Sequence, residues 1–348
     1  MTDLHGIDQS GGAGPPPLHL LAPERAVRKL LSRQLKHAEA AGHRLAIGED
    51  ADALHDFRVA LRRFRSIERV YRAWLADALP KKMRKRLQAL VRSTGPARDS
   101  EVQLVWLDAQ GDALRPGQRA GYQWLRRRLE DRQRQGYAAI RAAAPLEFAA
   151  LSAVLRAALT MPSEPSPTSF AQVTGEQLRP LIAELGSSFS AIGEDQEKMV
   201  HVHDARLLVK RARYLLEPLA AVLPDGRELL RGLGGLQDLL GEMHDAEVLA
   251  GSLGEAAAEA GAARYRTLVR QALGEELDVF GPMARTRGDE RAGLAALAQR
   301  VQAQMHSGRA GLRKKIRGGE VAALLRRLAE AADRLAPPRL FSMPQTVS

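Results

Sequence analysis

Cysteine is absent from the 348 residues, which removes disulfides, thiolate metal sites and cysteine nucleophiles together. Aromatic residues make up only 4% of the chain, while Ala, Leu and Arg dominate. Such a mixture is rich in helix formers and poor in the residues strands prefer, so it predicts an all-α fold. No run of about 18 uncharged apolar residues occurs, and no membrane-spanning helix is expected. The N-terminus carries Asp3, Asp8 and a Gly/Pro-rich run from Gly11 to Pro17 in place of a basic-then-apolar secretory signal. Residues 1–22 therefore read as a disordered leader, and the protein as cytoplasmic. A Walker glycine loop, a serine nucleophile elbow and zinc-finger spacing are all missing, so nothing in the motifs calls for catalysis, a metal or a cofactor.

Acids are fewer than bases, 41 against 52, which leaves a formal charge of +11 and a pI near 10.3. That excess attracts polyanions, but nucleic acid, anionic lipid, acidic protein and polyphosphate would all answer to it. Hydrophobic residues make up 45% of the chain, enough for a sizeable core. Helical patterns run over 24–46, 50–77, 81–92, 98–110, 117–142 and 146–160, broken at Gly48, Pro80, Gly95-Pro96 and Pro116. Three prolines between Met161 and Thr168 mark a linker over 161–168. Helical patterning resumes near Ser169 and continues around 196–221, 226–240, 245–259, 262–279, 288–309 and 319–334. The expected organisation is a helical half over 23–160, the linker, a second helical half over 169–335 and a flexible tail over 336–348.

A long-period repeat is the most informative feature. His55-Asp-Phe-Arg58-Val-Ala-Leu-Arg62-Arg-Phe-Arg65 returns 148 residues later as His203-Asp-Ala-Arg206-Leu-Leu-Val-Lys210-Arg-Ala-Arg213. A second pair follows at an offset of 146, where Gly95, Asp99, Glu101 and Val102 match Gly241, Asp245, Glu247 and Val248. Two matching segments in the same order point to a duplicated half of about 150 residues, too long for a solenoid unit.

On a helix, His55, Arg58, Arg62, Arg65, Arg69 and Arg72 share an arc of roughly 100°, opposite Phe57, Leu61, Phe64, Tyr71 and Leu75. In the second copy His203, Arg206, Lys210 and Arg213 repeat the stripe, and Glu217 followed by Pro218 cuts it short. A face that only needs solvation takes charge of either sign. Here cations occupy the same positions twice in a face almost free of acids, although like charges at this spacing cost a helix roughly 0.2–0.5 kcal/mol per pair. Phosphate answers that pattern: Arg offers a planar fork to its oxygens, Lys a point charge and His one or two donors. Other cationic clusters, Lys81 to Arg86, Arg126 to Arg128 with Arg132 and Arg134, and Arg313 to Lys315 with Arg317, read mainly as solvated surface.

These segments resemble the CHAD family, the conserved histidine α-helical domain, from about residue 24 to 334. The match lies in the two basic segments, in Gly-x-x-Arg-Asp at Gly95 to Asp99 and in Leu-Gly-x-x-His-Asp at Leu240 to Asp245. The resemblance implies two pseudo-symmetric four-helix bundles packed around a basic central channel that binds inorganic polyphosphate. It also implies the ligands: His55, Arg58, Arg62, Arg65 and Arg98 from one half, and His203, Arg206, Lys210, Arg213 and His244 from the other, with Arg69 extending the first stripe. Arg98 stands where the second half has His244, so the symmetry is imperfect there. Many relatives also carry a triphosphate-hydrolysing tunnel domain with a Glu-x-Glu-x-Lys signature. None occurs here, and a stand-alone module associated with polyphosphate granules is expected.

Two other readings compete. His55-Asp56, His203-Asp204 and His244-Asp245 are the doublets of a metal-dependent phosphohydrolase, but adjacent helical residues diverge by about 100° and neighbouring arginines repel a dication. Asp99 and Asp245 read instead as first-turn acids or as holders of an arginine. General nucleic-acid binding is the second rival, since a basic stripe alone does not distinguish phosphate polymers. Single-strand binders usually interleave cations with stacking aromatics, and neither stripe has any.

Overall fold

The computed structural model describes residues 16–48, 52–162, 164–194, 199–274 and 290–337. Ten α-helices lie among them, with 3-10 segments between several, so the all-α expectation holds. They are α1 (Pro23–Ile47), α2 (Ala53–Val70), α3 (Lys81–Ser93), α4 (Gly95–Asp108) and α5 (Arg119–Thr160), followed by α6 (Phe170–Glu194), α7 (Met199–Leu216), α8 (Gly226–Ala272), α9 (Glu290–Arg317) and α10 (Glu320–Leu335).

Several boundaries differ from those expected. The segments expected at 117–142 and 146–160 form one helix, α5, which starts at Arg119 and runs through Pro145. A proline inside a helix forfeits one backbone hydrogen bond, yet Ala144 and Phe148 on either side are buried and hold the segment in place. The three segments expected between 226 and 279 are likewise one helix, α8, as far as Ala272. Its buried residues Leu229, Leu233, Leu236, Leu240, Met243, Ala246, Leu249 and Leu253 recur every three or four positions, so the apolar face never lapses across 241–244, where two expected segments part. Residues 275–279 of that stretch lie outside the described residues. In α4 the helix starts at Gly95, three residues early, because Pro96 sits in the first turn, where its missing N–H costs nothing. Conversely α2 stops at Val70 and the chain tightens into a 3-10 segment over Arg72–Ala78. Arg72 thus leaves the stripe and pairs with Glu68 at 3.1 Å.

Part of the expected leader, residues 1–15, and nearly all of the tail, 338–348, lie outside the described residues. Leu18–Leu20 form a 3-10 turn, and the Leu21 carbonyl accepts a 2.8 Å hydrogen bond from the Phe170 amide. The linker is anchored as well: Ser166 donates its amide and its hydroxyl to the Glu24 carboxylate. Arg28 donates to the Met161 carbonyl at 2.6 Å and to that of Ala158 at 3.1 Å, satisfying the end of α5.

The larger core does not divide at the linker. It unites Leu31, Phe57, Phe64 and Phe148 with Phe170, Leu185, Val209, Leu216 and Leu233. A smaller core at the far ends of α5 and α8 joins Leu107, Leu125 and Leu129 to Leu249, Leu253, Leu297 and Val301. There α5 and α9 cross with backbones touching, since a Cβ on Gly121 would lie 2.3 Å from the Glu290 carbonyl and one on Gly293 2.2 Å from that of Gln118. One 18-residue window of the helical stretch Pro116–Thr160 is apolar and long enough to cross a membrane by length and composition. It belongs to the core: Phe148, Leu151, Leu155 and Leu159 are buried, while Glu147 interrupts it. Two helices matter most for the site. α2 packs on α1, α3 and α7, and α7 packs on α6, α8 and α2.

Candidate functional site: two basic helix faces

The faces of α2 and α7 follow from their cores. On α2, Leu54, Phe57, Leu61 and Phe64 are buried, which turns His55, Arg58, Arg62 and Arg65 to the half-exposed flank and leaves Arg69 exposed. On α7, Val202, Ala205, Val209, Ala212 and Leu216 are buried, with Arg206, Lys210 and Arg213 half-exposed and His203 exposed.

Contact between α2 and α7 brings the two stripes together at their middles. The Arg62 guanidinium is near enough that its charge, after burial itself and Arg206, helps depress Lys210 to about 8. Burial lowers Arg206 too, and Arg62 adds to that effect against the opposing pull of Asp245. Beyond the crossing the helices are latched: Arg63 Nη2 lies 3.2 Å from Glu217 Oε1, and its guanidinium sits 5.7 Å from the Tyr214 ring centre. Glu217, which ends the second stripe, thereby receives a structural role.

The histidines and Arg98 close in from the neighbouring elements. The rings of His203 and His244 stand 5.8 Å apart, so α8 delivers His244 to the α7 stripe. Burial, then Arg206, His203 and Lys210, push His244 down to about 4, which leaves it neutral and its Nδ1 without a hydrogen bond. Glu247 is 3.9 Å from that nitrogen, too far for one. In the first half, burial and then Arg98 and Arg62 lower His55. Arg98 is held at 2.6 Å by Glu101, which in turn accepts from the Tyr137 hydroxyl.

Not every stripe residue is bare. Arg58 Nη1 donates to Thr94 Oγ1 at 2.8 Å and to the Val91 carbonyl at 3.3 Å, so the end of α3 positions it. Arg213 reaches Gln237 Oε1 at 3.3 Å. By contrast Arg62, Arg65, Arg69, Arg206 and Lys210 make no hydrogen bond or ion pair among the described residues, and the buried Nε atoms of Arg62 and Arg206 are unsatisfied. Several cations elsewhere are paired: Arg128 with Glu255 and Glu259, Arg126 with Asp108 and Glu130, Arg179 with Asp333, and Arg327 with Glu228.

Asp99 and Asp245 need a different account from first-turn acids, since Asp245 lies in the middle of α8. Burial raises both, and they are close enough for Asp245 to help raise Asp99. Arg58 pulls Asp99 down, while Arg206, Lys210, Arg98 and Arg62 pull Asp245 down, so the two carboxylates sit amid both stripes. Among the described residues no three His, Asp or Glu side chains converge as metal ligands. The sequence did not single out Thr94, Tyr137 or Gln237, because their roles arise only once α3, α5 and α8 are packed.

Comparison with known proteins bears on the fold. The structure is similar to the crystal structure of the CHAD domain from the plant Ricinus communis, with a TM-score of 0.58 and 22% identity over 82% of this chain and 98% of that one. PptA from Streptomyces chartreusis is similar as well, with a TM-score of 0.56 and 16% identity over 83% of this chain and 99% of the other. At such identities these two show the fold alone. No curated protein matches significantly. The CHAD domain model, however, matches residues 29–254, which takes in both basic helices and His244, and the chain therefore belongs to the CHAD-domain family.

Proposed function

We propose that this protein is a non-catalytic binder of inorganic polyphosphate. Its α2 and α7 would line a basic channel between two halves related by duplication, with the phosphate chain lying along both stripes. One observation carries the reading: Arg62, Arg206 and Lys210 are half-buried, lie close enough for their charges to act on one another, and make no hydrogen bond or ion pair among the described residues. Burying like charges together is unfavourable unless something anionic joins them. A polymer of phosphates supplies many acceptors in a row, which matches a row of guanidinium, ammonium and imidazole donors. Thr94 and Glu101 pre-set the first-half donors Arg58 and Arg98, which lowers the ordering cost of binding. A cytoplasmic protein recruited to polyphosphate granules fits this role.

Nucleic acid remains the alternative polyanion. Tyr214 and Tyr137 each already have a guanidinium over the ring, those of Arg63 and Arg141, and the stripes themselves contain no Phe, Tyr or Trp on which bases could stack. The direct test replaces Arg58, Arg62, Arg206 and Lys210 by Ala. Helical content by circular dichroism stays as in the parent, and calorimetric titration shows most of the polyphosphate affinity gone. Unchanged affinity in the folded variant contradicts the assignment.

A further inference from the structure

The cationic surface is lopsided, and the excess lies on α3. Lys81–Ser93 contains Lys81, Lys82, Arg84, Lys85, Arg86 and Arg92 and no acid. The stretch 146 residues later, 227–239, contains Arg227 and Arg231 balanced by Glu228 and Asp238, with Asp238 standing where α3 has Arg92. Glu228 is itself engaged by Arg327 at 2.6 Å. On α3, Arg84 is the cation with protein partners, the Leu79 carbonyl at 2.6 Å and Glu68 at 3.6 Å. Lys81, Lys85 and Arg92 are exposed and make no hydrogen bond or ion pair among the described residues.

These three stand at i, i+4 and i+11, one face of the helix. α3 runs antiparallel to α2: Arg58 meets Val91 and Thr94 at one end, and Glu68 meets Arg84 at the other. The face therefore lies alongside Arg58 to Arg69 instead of across the molecule. Arg92 bears on Arg65, whose charged form is disfavoured first by burial and then by Arg69, Glu68 opposing, and Arg92.

Resting on the polyphosphate reading above, we infer that Lys81, Lys85 and Arg92 of α3 form a one-sided extension of the binding track, engaged only by phosphate chains long enough to run past the crossing of α2 and α7. Short chains are held at the crossing by Arg62, Arg206 and Lys210, and long chains leave over the first half.

The test compares the protein with K81A/K85A/R92A, titrated with tripolyphosphate, with a long polyphosphate and with single-stranded DNA, and uses R227A/R231A as the mirror-position control. The three side chains are exposed and unpartnered, so the variant folds. Its tripolyphosphate affinity stays within about twofold, its long-chain affinity falls at least tenfold, and the slope of log affinity against log salt shrinks by about 2–3. The control shows a much smaller loss. Equal loss for short and long chains, no loss for either, an equal loss in the control, or a loss confined to single-stranded DNA overturns the inference. If the parent protein binds neither polyphosphate, the underlying reading fails instead.

Discussion

Two residues of the site carry its pH behaviour, with opposite starting points. Lys210 is held down to about 8, first by burial and then by Arg206 and Arg62. In the free protein its folded value lies below the unfolded one, so the unfolded chain binds the proton more tightly. The ammonium therefore costs stability below pH 8, and the cost is relieved as pH rises through that value. A bound phosphate favours the ammonium. Polyphosphate should accordingly bind with proton uptake from about pH 8 upward, and its affinity should fall as pH rises beyond 8. Titration in buffers of different ionisation enthalpy measures the uptake, and K210R should abolish it in that window. His244 behaves alike at lower pH. With a folded value of about 4 against the usual 6.5, it makes the free protein less stable as pH falls from 6.5 to 4, a dependence that H244Q should remove in denaturant titrations across that range.

Thr94 shows how a residue outside the stripe shapes it. It is fully buried, accepts from Arg58 and donates to the Val91 carbonyl at 2.9 Å. Thr94→Val keeps the volume and removes both bonds, so it should cost about 1–2 kcal/mol of stability and weaken polyphosphate binding several-fold with little change in salt slope. An unaltered affinity would mean that Arg58 needs no positioning.

At the level of helices, the basic faces were legible because each is the complement of an apolar face with the 3.6-residue period. His55, Arg58, Arg62 and Arg65 opposite Phe57, Leu61 and Phe64 could be read directly, and the repeat at His203 to Arg213 doubled the signal. What could not be read was how the stripes meet. Arg63 and Glu217 looked like ordinary surface charges, and only the crossing of α2 with α7 makes them a latch. Arg72 fell on the expected arc but left it when α2 ended at Val70. The gaps expected at 143–145 and 241–244 are overridden by continuous apolar faces, since packing outweighs local propensity. The α5–α9 crossing was equally hidden, because Gly121 and Gly293 are far apart in sequence. Gly121→Ala or Gly293→Ala forces two backbones apart and should destabilise the protein by about 2–4 kcal/mol, read from chemical denaturation, without altering polyphosphate affinity in the folded fraction.

Across the whole molecule, net charge and the repeated motif led to the expectation of an anionic partner at two basic helices, whereas the pairing of charges could be seen only in the fold. Arg126, Arg128 and Arg132 belong to a cluster as basic as the stripes, yet Asp108, Glu130, Glu255 and Glu259 neutralise it. Composition alone does not separate a paired cluster from an available one. The distinction has a thermodynamic consequence: a fold that gathers Arg62, Arg206 and Lys210 with no ion-paired acid and only the charge of Asp245 to offset them is held back until an anion binds. R62A/R206A/K210A should raise the melting temperature of the free protein and abolish the further rise that polyphosphate gives the parent.

The most direct test of the central claim is calorimetric titration of the full chain with long-chain polyphosphate beside phosphate-matched single- and double-stranded nucleic acid at several salt concentrations. All three weaken with salt. Binding of polyphosphate at least tenfold tighter than either nucleic acid at each salt concentration is the predicted result. Equal affinities would reduce the two helices to a general polyanion surface and contradict the account.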